Sequence, residues 1–267
     1  MWELIDGIAH KIDGLPVADR GFLLGDGVFE TFRIDDKGIR FGDMHAVSLK
    51  TSCVALDLPM PDWLDACTAF GRLKPARNCV GKIMVTRGAG ARGLAPIDAG
   101  ASRIFLSIHD YQAPAASFSL QTVSVRRSAF SLAARFKTMS YADNLAARRE
   151  AVAAGADMAL ILTEDGVLSG ADCASLFWIS GDRVCWPSND CAVRDGVTRA
   201  IVQKALERDV SDYAPHAGRF APDVLVQAEA VFIGNAVIGI RPVHAIDGRD
   251  LPTRHNLLTR LQAVTPD

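Results

Sequence analysis

A chain of 267 residues that is 49% hydrophobic can build one large core or two modest ones, and its formal net charge of -2 gives no reason to expect nucleic acid or a membrane surface as partner. Gly (22) and Pro (12) are near ordinary usage, and the six cysteines are scattered without a CxxC pair, which argues against disorder and against a zinc site. Met1-Trp2-Glu3-Leu4 opens no signal peptide, and no window approaches about 18 uninterrupted apolar residues, so a reduced cytoplasmic protein without a membrane span is expected.

In chain order, Leu4–Gly7 and Lys11–Gly14 read as a hairpin with glycine-assisted turns. Gly25-Asp26-Gly27 leads into Val28–Ile34, a β-branched and aromatic strand bounded by Asp35-Asp36-Lys37-Gly38. Helices are expected from Asp43 to the Pro59-Met60-Pro61 stop and from Asp62 to Leu73. Val80–Arg87 is a strand running into the Gly-rich loop 88–93, either a mobile hairpin or a lid whose Arg87 and Arg92 grip a carboxylated substrate. Arg103–His109 is a strand, and residues 110–117 are the best linker, dividing the chain into domains 1–112 and 113–267. Beyond it come a strand at Leu120–Arg126, the apolar run Phe130–Phe136, and Lys137. A helix follows from Asn144 to about Ala154, with Asp143 as N-cap. Strands are expected at 157–162, 167–179, 183–186, 230–233 and 240–243, with helices from Asp195 to about Arg208 and near Ala221–Ala228.

Two features carry chemistry. Lys137, at a strand-to-helix junction, has an amine near a cavity and a stem in apolar surroundings, which lowers an ammonium pKa and suits Schiff-base formation, although a snorkelling surface lysine fits the same letters. Asp195 as N-cap leaves the N–H groups of Val197, Thr198 and Arg199 at a helix N-terminus, and Gly234-Asn235-Ala236 can add a nest of further donors. An amine for an aldehyde together with a fixed phosphate site describes pyridoxal 5'-phosphate (PLP).

Asp19-Arg20-Gly21, Gly25-Asp26-Gly27-Val28-Phe29-Glu30-Thr31, Thr86-Arg87-Gly88 through Arg92-Gly93, Lys137-Thr138 with Tyr141 and Asn144, Leu176-Phe177-Trp178, Gly196-Val197-Thr198-Arg199 and Asn235-Ala236 together resemble the fold-type IV PLP enzymes. That family includes branched-chain and D-amino-acid aminotransferases and 4-amino-4-deoxychorismate lyase. The resemblance implies an α+β or α/β fold with a small N-terminal α/β domain and a larger C-terminal pseudo-barrel domain, and a homodimer. It implies Lys137 as Schiff-base lysine, Val197, Thr198, Asn235 and Ala236 around phosphate, and Tyr141 at the cofactor. Arg87, Arg92 and Glu30 are the substrate-side candidates, for a small molecule bearing carboxylates; no metal is expected. Loop 87–93 and Leu176-Phe177-Trp178 look most like the lyase, which releases pyruvate and 4-aminobenzoate for folate synthesis. An aminotransferase of the branched-chain or D-amino-acid type is the alternative, and a degenerate paralogue with weak PLP chemistry a second one. The sequence departs from the family at Gly170, Ser175 and Ser48, where Glu, Asn and Arg are usual. The missing Glu, which keeps the pyridine nitrogen protonated, should hurt transamination more than an elimination that makes an aromatic ring.

Overall fold

The computed structural model describes residues 1–74, 78–95 and 102–264. The chain folds into two compact units, Met1–Gln112 with Phe136–Ser140, and Ala113–Arg135 with Tyr141–Asp267. The residues around Lys137 thus pack with the first unit, whereas the sequence division at 112 assigns them to the second domain.

The first unit contains β1 (Trp2–Ile5), β2 (Ile8–Lys11), α1 (Arg20–Leu24), β3 (Gly27–Asp35), β4 (Gly38–Ile39), α2 (Gly42–Ala55), α3 (Trp63–Leu73), β5 (Cys79–Thr86) and β6 (Arg103–Asp110). The strands make an antiparallel sheet in the order β2-β1-β6-β5-β3-β4. Because side chains alternate along a strand, Val28, Phe32 and Ile34 of β3 project to one face and join Ile83 and Val85 of β5. That face is closed by Leu49 and Cys53 of α2 and by Ala66 and Phe70 of α3. Asp62 caps α3 by accepting from the Asp65 amide. The helical turn α1 has no counterpart among the elements expected from sequence. Asp19 caps it and Gly25 ends it at φ 68°, a left-handed position that suits glycine.

The second unit contains β7 (Phe118–Arg127), α4 (Leu132–Arg135), α5 (Ala142–Ala153), β8 (Met158–Thr163), β9 (Leu168–Ala171), β10 (Ser175–Ser180), β11 (Arg183–Pro187), α6 (Val197–Arg208), β12 (Ala214–Gly218), β13 (Ala230–Asn235), β14 (Gly239–Ile246), β15 (Arg249–Asp250) and α7 (Asn256–Ala263). Its mixed sheet runs β12-β11-β10-β13-β14-β7-β8-β9, with β15 on β14. Leu120, Leu160, Leu168, Leu176, Val231 and Val243, from strands spread across this order, share one core cluster, so the sheet is curled around it. On another face Phe177 and Phe232 stack with 5.1 Å between centroids and pack with α6 and α7 through Val202, Leu257 and Leu261.

Three local expectations change. The run Phe130–Phe136 is no strand but contains the single turn α4. Residues 221–228 form only a 3-10 turn at Pro222–Leu225. Tyr141 is the N-cap of α5, with no capping hydrogen bond from its side chain, and Asp143 lies inside the first turn.

Candidate active site

Lys137 sits in an extended segment that pairs with the first residues of β3. The Phe29 amide donates to the Lys137 carbonyl (2.9 Å) and the Met139 amide to the Gly27 carbonyl (2.8 Å), around a Val28–Thr138 bridge. Gly27 is required here, because a Cβ would stand 2.7 Å from the Met139 sulfur and 2.8 Å from the Val85 oxygen. The half-buried Lys137 directs its Nζ over the Phe29 ring, 4.4 Å from the centroid.

Glu30, the next residue of β3, is 3% exposed. One carboxylate oxygen pairs with His45 Nδ1 at 2.9 Å and the other accepts from Ser48 Oγ at 2.6 Å. Burial pushes the Glu30 pKa up, but His45, the charge of Lys137 and Ser48 together outweigh it and leave the group below the ordinary carboxylate value. Glu30 therefore serves inside the first unit and does not offer its oxygens to a substrate. Its stabilising contribution is full above the ordinary carboxylate range and is lost as pH falls through the lowered value. The stability difference between wild type and Ser48→Ala, read by urea unfolding, is accordingly expected to close as the pH is taken below that range.

The two lid arginines differ. Arg87 donates to the carbonyls of Asp57 (2.6 Å) and Leu56 at the end of α2 and pairs with Asp26 at 3.4 Å, so it braces the first unit and does not reach outward as expected. Arg92 is exposed on its loop.

The second unit holds a pocket of about 620 Å³, solvent space at its mouth included, lined among others by Arg127, Tyr141, Asn144, Gly170, Ser175 and Arg194. Arg127, at the end of β7, donates to the Ala171 carbonyl (3.0 Å) and to Ser169 Oγ (3.4 Å). Burial first, and then the charge of Arg194, push its pKa down to about 10. Arg194 donates to the Tyr141 hydroxyl at 3.4 Å. Asp172 cannot serve as a spare carboxylate for this pocket: it is buried and gripped by Arg148 through Nε and through Nη2 at 2.8 Å, and the Asn144 amide donates to its carbonyl.

Gly170 is more than a missing side chain. Its φ is 152°, and a Cβ there would stand 3.7 Å from Arg127 Nη1 and from the Ala174 oxygen. Space exists, but the backbone is one that L-residues rarely adopt. Gly170→Glu is expected to cost about 1 to 3 kcal/mol in urea unfolding. A variant as stable as wild type would show that the strand relaxes freely.

The phosphate candidates lie where α6 meets the end of β13. The N-cap is Gly196, not Asp195, whose carboxylate is taken by Arg199 one turn on. The cap makes no side-chain hydrogen bond, so the first amides of α6 keep their donors for another acceptor. Gly234 allows the close approach, since a Cβ would meet Thr198 Cγ2 at 2.7 Å and the Gly239 oxygen at 3.1 Å. Asn235 turns its Oδ1 to the amides of Val237 and Ile238 (both 2.9 Å) and donates to the Cys173 carbonyl at 3.1 Å. Ala236 follows it half-buried. Ser175 lies beside Gly196, its Oγ 3.8 Å from where a Cβ would stand.

The sequence did not mark Arg127 and Arg194. Both end or connect elements, and only the fold carries them to one pocket. Their one visible signal was the Arg126-Arg127 pair closing an apolar strand.

Comparison with known proteins gives the family. The family model described as amino-transferase class IV matches residues 27–246. A Methanocaldococcus jannaschii protein provisionally named branched-chain-amino-acid aminotransferase is 28% identical over 250 residues, 91% of this chain and 86% of the relative. Aminodeoxychorismate lyase of Bacillus subtilis (strain 168) is 27% identical over 241 residues, 86% and 80% of the two chains. The crystal structure of a T.th. branched-chain amino acid aminotransferase with pyridoxamine 5'-phosphate superimposes with a TM-score of 0.87 at 24% identity, covering 99% of this chain and 93% of the other. The chain belongs to the amino-transferase class IV family, and with it to the PLP-dependent enzymes of fold type IV.

Proposed function

We propose that the protein is a PLP-dependent 4-amino-4-deoxychorismate lyase, releasing pyruvate and 4-aminobenzoate. The residues fit the cofactor: the uncapped start of α6 is pressed close by Gly234, a cradle that a Cβ would fill, and the amine of Lys137 is half-buried against an aromatic face. Val197, Thr198, Asn235 and Ala236 would hold its phosphate, with Ser175 as a further hydroxyl, and Tyr141 would line its ring. Bound there, PLP supplies an aldehyde carbon for an amine and a ring that withdraws electrons. Lys137 holds the cofactor, yields its place to the substrate amine, and moves a proton at Nζ, first as base and then as acid. Arg92 meets a substrate carboxylate from its loop.

The observation that carries the choice of reaction is Gly170 with Arg127 behind it. Where the resemblance puts a carboxylate to keep the ring nitrogen protonated, this chain has a guanidinium, which only donates. A ring without that partner is a weaker electron sink, and an elimination driven by forming an aromatic product asks least of it. Arg194, on the lining of the same pocket, also suits a substrate carboxylate more than a branched aliphatic chain. The relative named aminotransferase supports the alternative of transamination.

Purified enzyme with PLP should release 4-aminobenzoate and pyruvate from aminodeoxychorismate faster than it forms glutamate from 2-oxoglutarate and a branched-chain amino acid. The reverse order would establish the aminotransferase, and neither product from PLP-loaded protein the degenerate form. We also propose a cytoplasmic homodimer, supported by the exposed apolar run Phe22, Leu23 and Leu24 on α1 and tested by light scattering. Among the described residues no helix is long and apolar enough to cross a membrane.

A further inference from the structure

Phe29 carries two cations. In the β3–β5 register Thr31 lies opposite Lys82 and Phe29 opposite Met84, so Lys82 is the diagonal neighbour of Phe29 on the same face of the sheet. On the other flank of β3 the bonds around the Val28–Thr138 bridge set Lys137 opposite Phe29. Three adjacent backbone segments, all in the first unit, thereby bring Lys82 Nζ to 4.3 Å and Lys137 Nζ to 4.4 Å from one ring centroid. The two nitrogens are within about 9 Å of each other, close enough for like charges at a protein surface to matter.

We infer that Lys82 is a positioning residue for Lys137: held on the ring of Phe29, its charge disfavours a second ammonium there and keeps the Lys137 amine more readily deprotonated. Glu30 acts in the opposite sense. Fixed by His45 and Ser48 of α2, its carboxylate favours the ammonium of Lys137. The charged groups around Lys137 within the first unit thus include Lys82 from β5 and Glu30 from β3, with His45 behind the carboxylate. An amine that must be uncharged to bond to carbon, yet must later carry a proton, thus has charges of both signs among its neighbours.

This rests on Lys137 as the amine that takes the cofactor, and the two ideas separate experimentally. Competitive acetylation of the full-length protein, with Lys137 read by peptide mass spectrometry from neutral to alkaline pH, reports the amine without PLP. Lys82→Met should raise the midpoint of Lys137 by about one pH unit, the size of a unit charge at that distance and an effective dielectric near 20. Lys82→Arg, which keeps the charge, should stay near wild type, and Glu30→Gln should lower the midpoint. A midpoint unmoved in Lys82→Met, or moved equally in Lys82→Arg, overturns the inference. Borohydride treatment of PLP-loaded wild type tests the other idea: no adduct on Lys137 would remove its proposed role, while the acetylation profile still decides the coupling to Lys82.

Discussion

Lys137→Ala is expected to lose turnover by a factor on the order of 10^2 to 10^4 from proton transfer alone, and to leave no PLP fixed by borohydride in the peptide spanning 136–140. The protein should nevertheless fold. The bonds that seat this segment on β3 run from the Phe29 amide to the Lys137 carbonyl and from the Met139 amide to the Gly27 carbonyl, and neither uses the lysine side chain. Lost chemistry with an unchanged urea midpoint would therefore be the signature of a residue that acts through its amine. Retained turnover would remove Lys137 from the mechanism altogether.

Arg148→Ala is expected to be the most destabilising of the substitutions considered, by about 3 kcal/mol in urea unfolding. Asp172 is buried, and Arg148 meets both of its oxygens. Without Arg148 the carboxylate keeps the Ala159 amide at 3.3 Å, too little to offset the cost of a buried charge. Burial of Asp172 decides the size of the effect, since Arg148 itself is partly exposed. Adding Asp172→Asn should recover part of the loss, because it removes the charge that has been stranded. A single variant that unfolds at the wild-type midpoint would show that water reaches the carboxylate.

Much of the fold could be read directly. The β-branched runs of β3, β5, β8 and β13 and the amphipathic spacing of α3 and α6 lie within a few residues of expectation, because period and composition are local properties. What escaped was either too short or too plain. The five-residue turn α1 has no period, and β12, with the sequence Ala-Pro-His-Ala-Gly, has no strand composition; it exists because β11 offers a parallel edge. In α7 the signal was present, in leucines 257, 258 and 261 at helical spacing.

The candidate site was legible in its parts but not in their partners. Lys137, Val197 and Thr198 could be named as candidates from local signals. That Glu30 is spent on His45 and Ser48, that Asp195 goes to Arg199 and so leaves the helix uncapped, and that Lys82 shares a ring with Lys137 all depend on register and helix phase. A carboxylate's chemistry is set by the donors around it, and those donors come from distant positions in the chain.

The division of the chain also orders its synthesis. When the first 112 residues have emerged, β3 already has β5 along one side, but its edge at Gly27–Phe29 still lacks the segment that will cover it. Such an edge is an invitation to pair with another chain. It is closed only when residues 137–139 arrive, after the strand β7 that opens the second unit has been made. The segment that finishes the nascent first unit is the one that carries the proposed Schiff-base amine, so translation delivers the last strand partner and that lysine in the same few residues.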